Sequence, residues 1–287
     1  MKNFRAYFLL FIAVVALCSC DLAKNNKALI SEAGKALVEE LDQKDGEAGA
    51  CDASAGAAEA DDKLVMQTSP KGTPEQILER TGYVASYNKA TLLPNWVAWH
   101  LTAERTEGSA KRSGVDFAED TEVPSPRATD WDYYNSGYDR GHMCPAADNK
   151  WSKKAMEESF LFTNMCPQNG NLNRGDWNEM EMACRKWAKK YGDLYIVCGP
   201  ILYKGKHKTI GKNKVVVPEA FFKVVLRTGD DPQAIGFIYK NTSGNRPKDS
   251  YVNTVDEVER ITGIDFFPSL PDDVEKNVEA TADIANW

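Results

Sequence analysis

The 287-residue sequence has only three histidines, no pair of cysteines with CxxC spacing and no apolar run long enough to cross a membrane. None of its seven cysteines forms a CxxC pair, the spacing typical of a structural zinc site, so the sequence argues against a zinc-binding fold. The apolar run from Ala6 to Leu17 is shorter than the about 20 residues that a membrane-spanning helix needs. Because histidine is so scarce, each one can be weighed individually as a catalytic candidate.

The N-terminus predicts export. Lys2 and Arg5 precede the apolar run, as in a signal peptide. The run ends in Leu17-Cys18-Ser19-Cys20, which resembles a bacterial lipobox and makes Cys20 the lipidated residue. We therefore expect residues 1–20 to be a lipoprotein signal peptide, with Cys20 becoming the first mature residue, and the lipid on Cys20 to anchor the chain to a bacterial membrane, on the periplasmic face or the cell surface. The alternative is an ordinary cleaved signal.

Residues 21–73 are rich in Ala, Glu, Asp and Lys and contain no aromatic residue, which predicts a flexible tether. The formal net charge of −7 argues at first against a polyanionic substrate. However, twelve acids and six bases lie between Asp21 and Glu75, so most of the negative charge belongs to the tether. The predicted folded domain, residues 74–287, is much closer to neutral.

Strand and helix patterns are mixed in this domain without a strict alternation, which favours an α+β fold with a largely antiparallel sheet flanked by helices. The helices are predicted at Trp151–Ser159, at Asp176–Lys190, and from a capping box at Thr254 to Gly263. The predicted strands are Asn95–Leu101, Leu194–Cys198 (stopped by Gly199-Pro200), Val215–Val217, Phe221–Leu226 and Ala234–Tyr239.

Two clusters carry candidate chemistry. His142 follows Asp139, Arg140 and Gly141, where the glycine would bring the imidazole close to a substrate. His100 lies in an aromatic strand and is interpreted as structural, and His207 lies among lysines and is interpreted as solvated. In the second cluster, positions 173, 177, 181 and 185 are four apart and form one stripe if Asn173 opens a helix.

That stripe would direct Asn173, Glu181 and Arg185 to one region and set Met180, Cys184 and Trp187 against the core. Taken alone, Glu181 and Arg185 would be read as a surface ion pair. The five lysines from Lys204 to Lys214 form either a solvated hairpin or a phosphate-contact surface.

The segment Ser136–Asp148, containing Asp-Arg-Gly-His, resembles the signature of the DNA/RNA non-specific endonucleases. This family comprises ββα-metal (His-Me finger) nucleases of the endonuclease G type. The stretches Asn164–Gln168 and Leu172–Trp177, with Glu181 and Arg185, resemble its metal-binding helix, and the similarity covers roughly residues 80–265. The resemblance implies a ββα-metal fold and a sugar-non-specific endonuclease that cleaves DNA and RNA with one Mg²⁺, for which Mn²⁺ can substitute.

The resemblance also implies residue roles. His142 would be the general base, Asn173 the direct metal ligand and Glu181 the residue that holds metal-bound water. Asn164 would orient the site, Arg140 would assist catalysis, and Arg112, Arg185 and Asp139 would lie along the substrate. These types suit phosphodiester hydrolysis, since neutral imidazole accepts protons near neutral pH and Mg²⁺ prefers oxygen ligands. Cleavage would leave 5′-phosphate ends.

Several questions stay open at the sequence level. A non-catalytic nucleic-acid-binding surface lipoprotein of the same fold is the alternative function. Homodimerisation is an option, and no protein partner is evident. The pairing of Cys51, Cys144, Cys166, Cys184 and Cys198 is undetermined. A Cys144–Cys166 disulfide is suggested because each lies two residues beyond a site residue.

Overall fold

The computed structural model describes residues 63–229 and 231–287, so the predicted signal peptide, Cys20 and Cys51 lie outside the described residues. The strands are β1 (Gln76–Glu79), β2 (Val84–Asn88), β3 (Leu93–Leu101), β4 (Asp139–His142), β5 (Met165–Gln168), β6 (Leu194–Ile201), β7 (Thr209–Ile210), β8 (Val215–Val216), β9 (Ala220–Arg227), β10 (Gln233–Lys240) and β11 (Val252–Asn253). Seven of them form one antiparallel sheet in the order β1-β2-β3-β6-β9-β10-β11, which confirms the predicted sheet. The pairs β4–β5 and β7–β8 stand apart from it.

The α-helices are α1 (Asp130–Tyr133), α2 (Lys153–Glu158), α3 (Asn178–Tyr191), α4 (Val255–Thr262) and α5 (Asp272–Glu279). A short helical turn, Gly170–Leu172, and a π-helical turn, Asn173–Trp177, lead into α3. Among the described residues, no helix combines the length and apolar character that crossing a membrane requires.

Both faces of the sheet are covered, which is why its central strands are apolar at almost every position. On one face, Trp187 of α3 stacks on Phe237 of β10 with ring centroids 6.3 Å apart. On the other face, Gly236 lies so close to Val258 of α4 that an added Cβ would sit 2.6 Å from its methyl group. Because neighbouring residues of a strand point to opposite faces, α3 and α4 lie on opposite sides of the sheet.

The prediction that Gly199-Pro200 ends β6 is wrong. The strand continues through both residues and pairs with β9, where Gly199 faces Phe222 and Pro200 faces Phe221. A Cβ on Gly199 would lie 2.5 Å from the carbonyl oxygen of Asn95. The glycine therefore permits close approach of two chain segments within the sheet.

The helix predicted between Thr254 and Gly263 is confirmed as α4. The Thr254 side chain accepts a hydrogen bond from the Glu257 backbone N–H, and Gly263 ends the helix in the left-handed region at φ 68°. Upstream, Thr68 pairs with Asp265, and the buried Gln67 accepts from the Phe267 backbone N–H at 2.8 Å. The folded unit thus includes residues just before Pro74 that composition assigns to the tether.

The suggested Cys144–Cys166 disulfide is wrong. Both thiols are free and buried, as are those of Cys184 and Cys198. The two segments that the disulfide was expected to brace are joined by the amide side chain of Asn164, which is fully buried and bonded to the backbone of Cys144. Burial raises the pKa of all four thiols, so each is held in its neutral form.

Candidate active site

A small ββα unit positions the histidine of the first cluster. Strand β4 pairs antiparallel with β5, so that Gly141 faces Cys166 and His142 faces Met165. A Cβ on Gly141 would lie 2.4 Å from Oε1 of Gln168 on β5. The glycine is therefore required by close packing between the two strands, whereas the sequence suggested that it brings the imidazole toward a substrate.

His142 lies against two aromatic rings at the end of β4. Its imidazole packs edge-to-face on Phe160, with centroids 4.9 Å apart, and lies 5.7 Å from the ring of Phe117. Burial, and secondarily the nearby charge of Arg112, lowers the pKa of His142 to about 3. The imidazole is thus neutral at physiological pH, and its Nε2 atom has no hydrogen-bond partner among the described residues.

The predicted stripe is brought together as expected. A pocket of about 820 Å³ is lined by six of the residues singled out in the sequence, namely Arg112, Arg140, His142, Asn173, Glu181 and Arg185. Trp177, the remaining stripe position, is fully buried and packs on Phe221 and Tyr239. Met180, Cys184 and Trp187 are buried in the core, as predicted.

Asn173 lies at the start of the π-helical turn and does not open α3 itself. The chain departs from helical geometry at Gly175, and α3 begins at Asn178. The Asn173 amide Nδ2 donates to Oδ2 of Asp139 at 3.0 Å. That bond leaves the amide oxygen of Asn173 as the atom it can offer to a ligand in the pocket.

Asp139 is occupied by neighbours within the site. Its Oδ2 atom also forms an ion pair with Nη1 of Arg174 at 2.5 Å. An anionic carboxylate would repel a phosphate group, whereas it holds a neutral amide and a guanidinium well. In this geometry Asp139 fixes the orientation of Asn173 and Arg174.

Glu181 lies on the pocket side of α3 and is half-buried. Burial raises the pKa of Glu181 to about 7, and the positive charge of Lys223 opposes this increase. A carboxylate at this position would be stabilised by a second positive charge. The oxygen atoms of Asn173 and Glu181 line this pocket and fit a hard divalent cation that keeps several of its waters.

Beneath the pocket, an ammonium group is enclosed by aromatic rings. Lys223 of β9 is 1% exposed, and its Nζ lies 4.3 Å from the ring centroid of Trp177 and 5.0 Å from that of Trp99. The indole of Trp177 donates to the backbone oxygen of His142 at 3.3 Å. The indole of Trp99 donates to Asp148 at 3.1 Å. Lys223 therefore contacts both indoles that support the site.

Arg185 is held by a buried acid. Its Nη1 pairs with Oδ1 of Asp148 at 2.8 Å, and the side chain of Asp148 is 1% exposed. Burial raises the pKa of Asp148, and the charge of Arg185 opposes that increase. Arg185 pairs with Asp148 instead of forming the surface ion pair with Glu181 that the spacing alone suggested.

The remaining arginines give the pocket a basic edge. Arg140 pairs through Nε with Oδ1 of Asp130 at 2.6 Å and lies over the ring of Phe117 at 5.4 Å. Arg112 is exposed and lies over the ring of Phe160 at 5.5 Å. Further basic side chains on the pocket wall are Lys111, Lys150 and Arg174. Positive charge is thus concentrated here in an acidic chain.

Asn164 does not line the pocket. It is fully buried and makes three hydrogen bonds to backbone atoms, two of them to Cys144 and one to Ser159. Since Cys144 follows His142 by two residues, Asn164 fixes the chain immediately beyond the histidine.

The other histidines and the lysine run lie outside the pocket. His100 bonds to Asp193 at 2.8 Å and stacks on Tyr195, in agreement with a structural role. His207, interpreted as solvated, is instead partly buried and bonds to Glu219 at 3.1 Å. Lys204, Lys206 and Lys208 precede the β7–β8 hairpin, and Lys212 and Lys214 lie in its turn. Lys208 lies over the ring of Tyr138.

Sequence reasoning missed Lys223 and assigned no role to Asp148 or Arg174. A lysine in the apolar run Ala220-Phe221-Phe222-Lys223-Val224-Val225 was a usable signal, because an unpaired lysine is rarely fully buried. For Asp148 and Arg174, the partners Arg185 and Asp139 lie more than thirty residues away, so nothing local revealed the contacts.

A β-hairpin followed by a helix, carrying a histidine and an oxygen-donor pair, defines the ββα-metal class of fold. A family profile described as DNA/RNA non-specific endonuclease matches residues 61–273. The chain therefore belongs to the DNA/RNA non-specific endonuclease family.

The names of similar proteins agree with this family assignment. The chain is 36% identical over 218 residues to "Nuclease EXOG, mitochondrial" of Xenopus laevis, covering 70% of this chain and 60% of that protein. It is 34% identical to human "Endonuclease G, mitochondrial" (68% and 70% covered) and 36% identical to "Nuclease C1" of Cunninghamella echinulata var. echinulata (72% and 88% covered). The chain thus spans less than two thirds of the Xenopus protein.

A solved structure shares the fold. It is described as "Crystal structure of the EndoG/EndoGI complex: Mechanism of EndoG inhibition". The similarity has a TM-score of 0.66 at 31% sequence identity and covers 69% of this chain and 87% of that one. This similarity supports the ββα-metal assignment of the β4–β5–α3 unit.

Proposed function

We propose that the chain is a Mg²⁺-dependent endonuclease that hydrolyses phosphodiester bonds of DNA and RNA. The observation that carries the proposal is the pocket itself, in which a neutral histidine, two oxygen-donor side chains and a basic edge converge. Family membership supports the same conclusion. Mn²⁺ would substitute for Mg²⁺, because the donor set selects for hard, oxygen-preferring cations.

His142 acts as the general base. Its neutral imidazole, which lines the pocket, would accept a proton from a water molecule as the water oxygen attacks phosphorus. The bond between phosphorus and the 3′ oxygen breaks and the departing oxygen takes up a proton from another water molecule, which leaves a 5′-phosphate and a 3′-hydroxyl. The rings of Phe117 and Phe160 hold the imidazole in one orientation and keep it neutral.

Asn173 and Glu181 would hold the cation, Asn173 directly through its amide oxygen and Glu181 through bound water. When bound, the cation would neutralise the phosphate and stabilise charge on the departing oxygen. Asp139 takes a positioning role here in place of the substrate contact first predicted, because its carboxylate holds the Asn173 amide and Arg174.

Arg140, Arg185 and Arg112 would contact phosphates along the cleft. Arg185 is held in place by Asp148, so little side-chain freedom is lost when it binds. Asn164 acts through Cys144 and is a positioning residue. Contacts that go to phosphate and sugar carry little sequence information, so selectivity among sequences would be weak.

A nuclease assay tests the proposal. Purified protein is incubated with plasmid DNA, single-stranded DNA and RNA across a Mg²⁺ titration, with and without chelator. We expect cleavage of all three with Mg²⁺ or Mn²⁺, abolition by chelator, and a large increase in the Mg²⁺ needed by Asn173→Ala. Asn171→Ala is the matched control, since the Asn171 side chain bonds to Ser243 and does not line the pocket. Binding without cleavage would instead indicate a non-catalytic nucleic-acid-binding protein.

We further infer that the protein is exported and anchored through lipid on Cys20. The basic residues, apolar run and lipobox-like sequence support this inference. Metabolic labelling with an alkyne fatty acid should mark the wild type and leave Cys20→Ser unlabelled. Equal labelling of the wild type and Cys20→Ser would contradict lipidation at Cys20.

Whether the chain forms a homodimer is a separate question, which size-exclusion chromatography answers.

A further inference from the structure

Three acidic side chains meet where α4 and α5 approach each other. Asp256 and Glu259 lie in the first two turns of α4, and Glu279 is the last residue of α5. One carboxylate oxygen from each lies within 4.8 Å of the oxygens of the other two. This group lies on the face of the sheet opposite α3, and none of the three lines the pocket that contains His142.

The buried member of the group lacks a hydrogen-bond partner. Glu279 is 5% exposed, and its Oε1 atom is inaccessible to water and makes no hydrogen bond among the described residues. Leaving a buried carboxylate oxygen without a partner is costly, because the interior cannot replace its hydration. The orphaned atom therefore indicates a missing positive partner.

The surroundings add negative charge. The neighbouring charged groups that act on the Glu279 carboxylate are Glu259, Glu275, Asp256 and Asp265, and all four are acidic. Within the group, Glu259 already accepts one hydrogen bond at Oε1, from the Phe266 backbone N–H at 2.8 Å. That bond fixes the Glu259 carboxylate while its second oxygen remains available.

We propose that Asp256, Glu259 and Glu279 form a second cation site, separate from the pocket of His142, that binds a Ca²⁺-type ion. Ca²⁺ takes six to eight oxygen ligands at about 2.4 Å, so two of its ligands lie at most about 4.8 Å apart. One oxygen from each of the three carboxylates satisfies that limit, and water molecules would complete the coordination. Water reaches the site from the side of Asp256, which is exposed.

The ion would join α4 to α5. An ion that binds the folded chain and not the unfolded chain stabilises the fold by an amount that grows with the logarithm of the ion concentration. The ion at this second site would therefore stabilise the fold, whereas the cation held by Asn173 and Glu181 would take part in catalysis.

Calorimetry of Ca²⁺ binding tests the proposal with catalysis removed. The parent is the full-length chain carrying Asn173→Ala, and Ca²⁺ is titrated into it and into the same chain with Glu279→Gln added. We expect the parent to bind one Ca²⁺ that Glu279→Gln weakens at least tenfold. Asp273→Asn, an exposed acid on the same helix, is the matched control and should bind as the parent does.

A second variant covers the case in which Glu279→Gln fails to fold. Asp256→Asn alters the exposed ligand and should also weaken binding, while millimolar Ca²⁺ should raise the Tm of the parent but not that of either ligand variant. Absence of Ca²⁺ binding to the parent, or equal binding by parent and ligand variants, would overturn the proposal. Stabilisation by Glu279→Gln without Ca²⁺ binding to the parent would show that a proton, rather than a metal ion, occupies the site.

Discussion

Replacing Asn164 by alanine tests how the loop beyond His142 is held. The Asn164 amide accepts from the Cys144 N–H at 2.9 Å and donates to the carbonyl oxygens of Cys144 and Ser159, both at 2.8 Å. All of these groups are buried. Alanine removes the three bonds and leaves the buried backbone groups of Cys144 and Ser159 without this partner.

The size of the effect follows from those three bonds. Each contributes about 1 kcal/mol, and a buried backbone group left without a partner costs about 1–3 kcal/mol. We therefore expect Asn164→Ala to lower the free energy of unfolding by about 3–5 kcal/mol. A domain of this kind is stable by about 5–15 kcal/mol, so the variant should still fold.

Urea unfolding at 25 °C measures this loss. Ser159→Ala is the matched control, since it removes one buried neutral hydrogen bond, from Oγ to the Met156 carbonyl oxygen at 2.7 Å. The control should lose about 1 kcal/mol. A loss below about 1 kcal/mol for Asn164→Ala, or one equal to the control, would refute the bracing role.

Three further predictions follow. Lys223→Met should destabilise the fold by about 3–5 kcal/mol, because it leaves the buried acids Glu181 and Asp148 without this positive charge. It should also move the pH dependence of cleavage to higher pH, because Glu181 then ionises less readily. An unchanged pH profile would contradict this. Since the pKa of His142 is lowered to about 3 in the fold, its neutrality stabilises the protein fully above pH 6.5, and this contribution is lost as pH falls toward 3. Urea unfolding should therefore show wild type losing about 1–2 kcal/mol more than His142→Gln between pH 7.5 and pH 5; equal losses would argue against a buried neutral imidazole. Alkylation of the native protein followed by peptide mapping should leave the four buried cysteines unmodified, namely Cys144, Cys166, Cys184 and Cys198. Rapid alkylation of any of them would show that this thiol is accessible to solvent.

Periodicity predicted the parts of the molecule whose signals are local. The strand around Trp96, the helix that presents Glu181 and Arg185, and the capped helix from Thr254 to Gly263 all follow from residue spacing. The predicted end of β6 failed because Gly199 and Pro200 usually interrupt strands. Here both residues stay in the strand because they pair with β9, and the missing side chain of Gly199 lets the Asn95 backbone approach closely.

The site was predictable only as far as its residues cluster in sequence. His142 and Asn173 could be found because their neighbours form short motifs. The Lys223 ammonium between two indoles and the Asp148–Arg185 pair depend on contacts between distant segments, which spacing cannot reveal. The expected Cys144–Cys166 disulfide failed for the same reason, because the Asn164 amide joins the two segments.

The central claim is that His142 is the base of a metal-dependent nuclease. Its most direct test is plasmid nicking at saturating Mg²⁺ by His142→Ala beside His207→Ala, whose histidine bonds to Glu219 away from the pocket. We expect a loss of at least about 100-fold for His142→Ala, the usual lower bound for removing a general base, and near-normal cleavage for His207→Ala. Near-normal cleavage by a folded His142→Ala variant would contradict it.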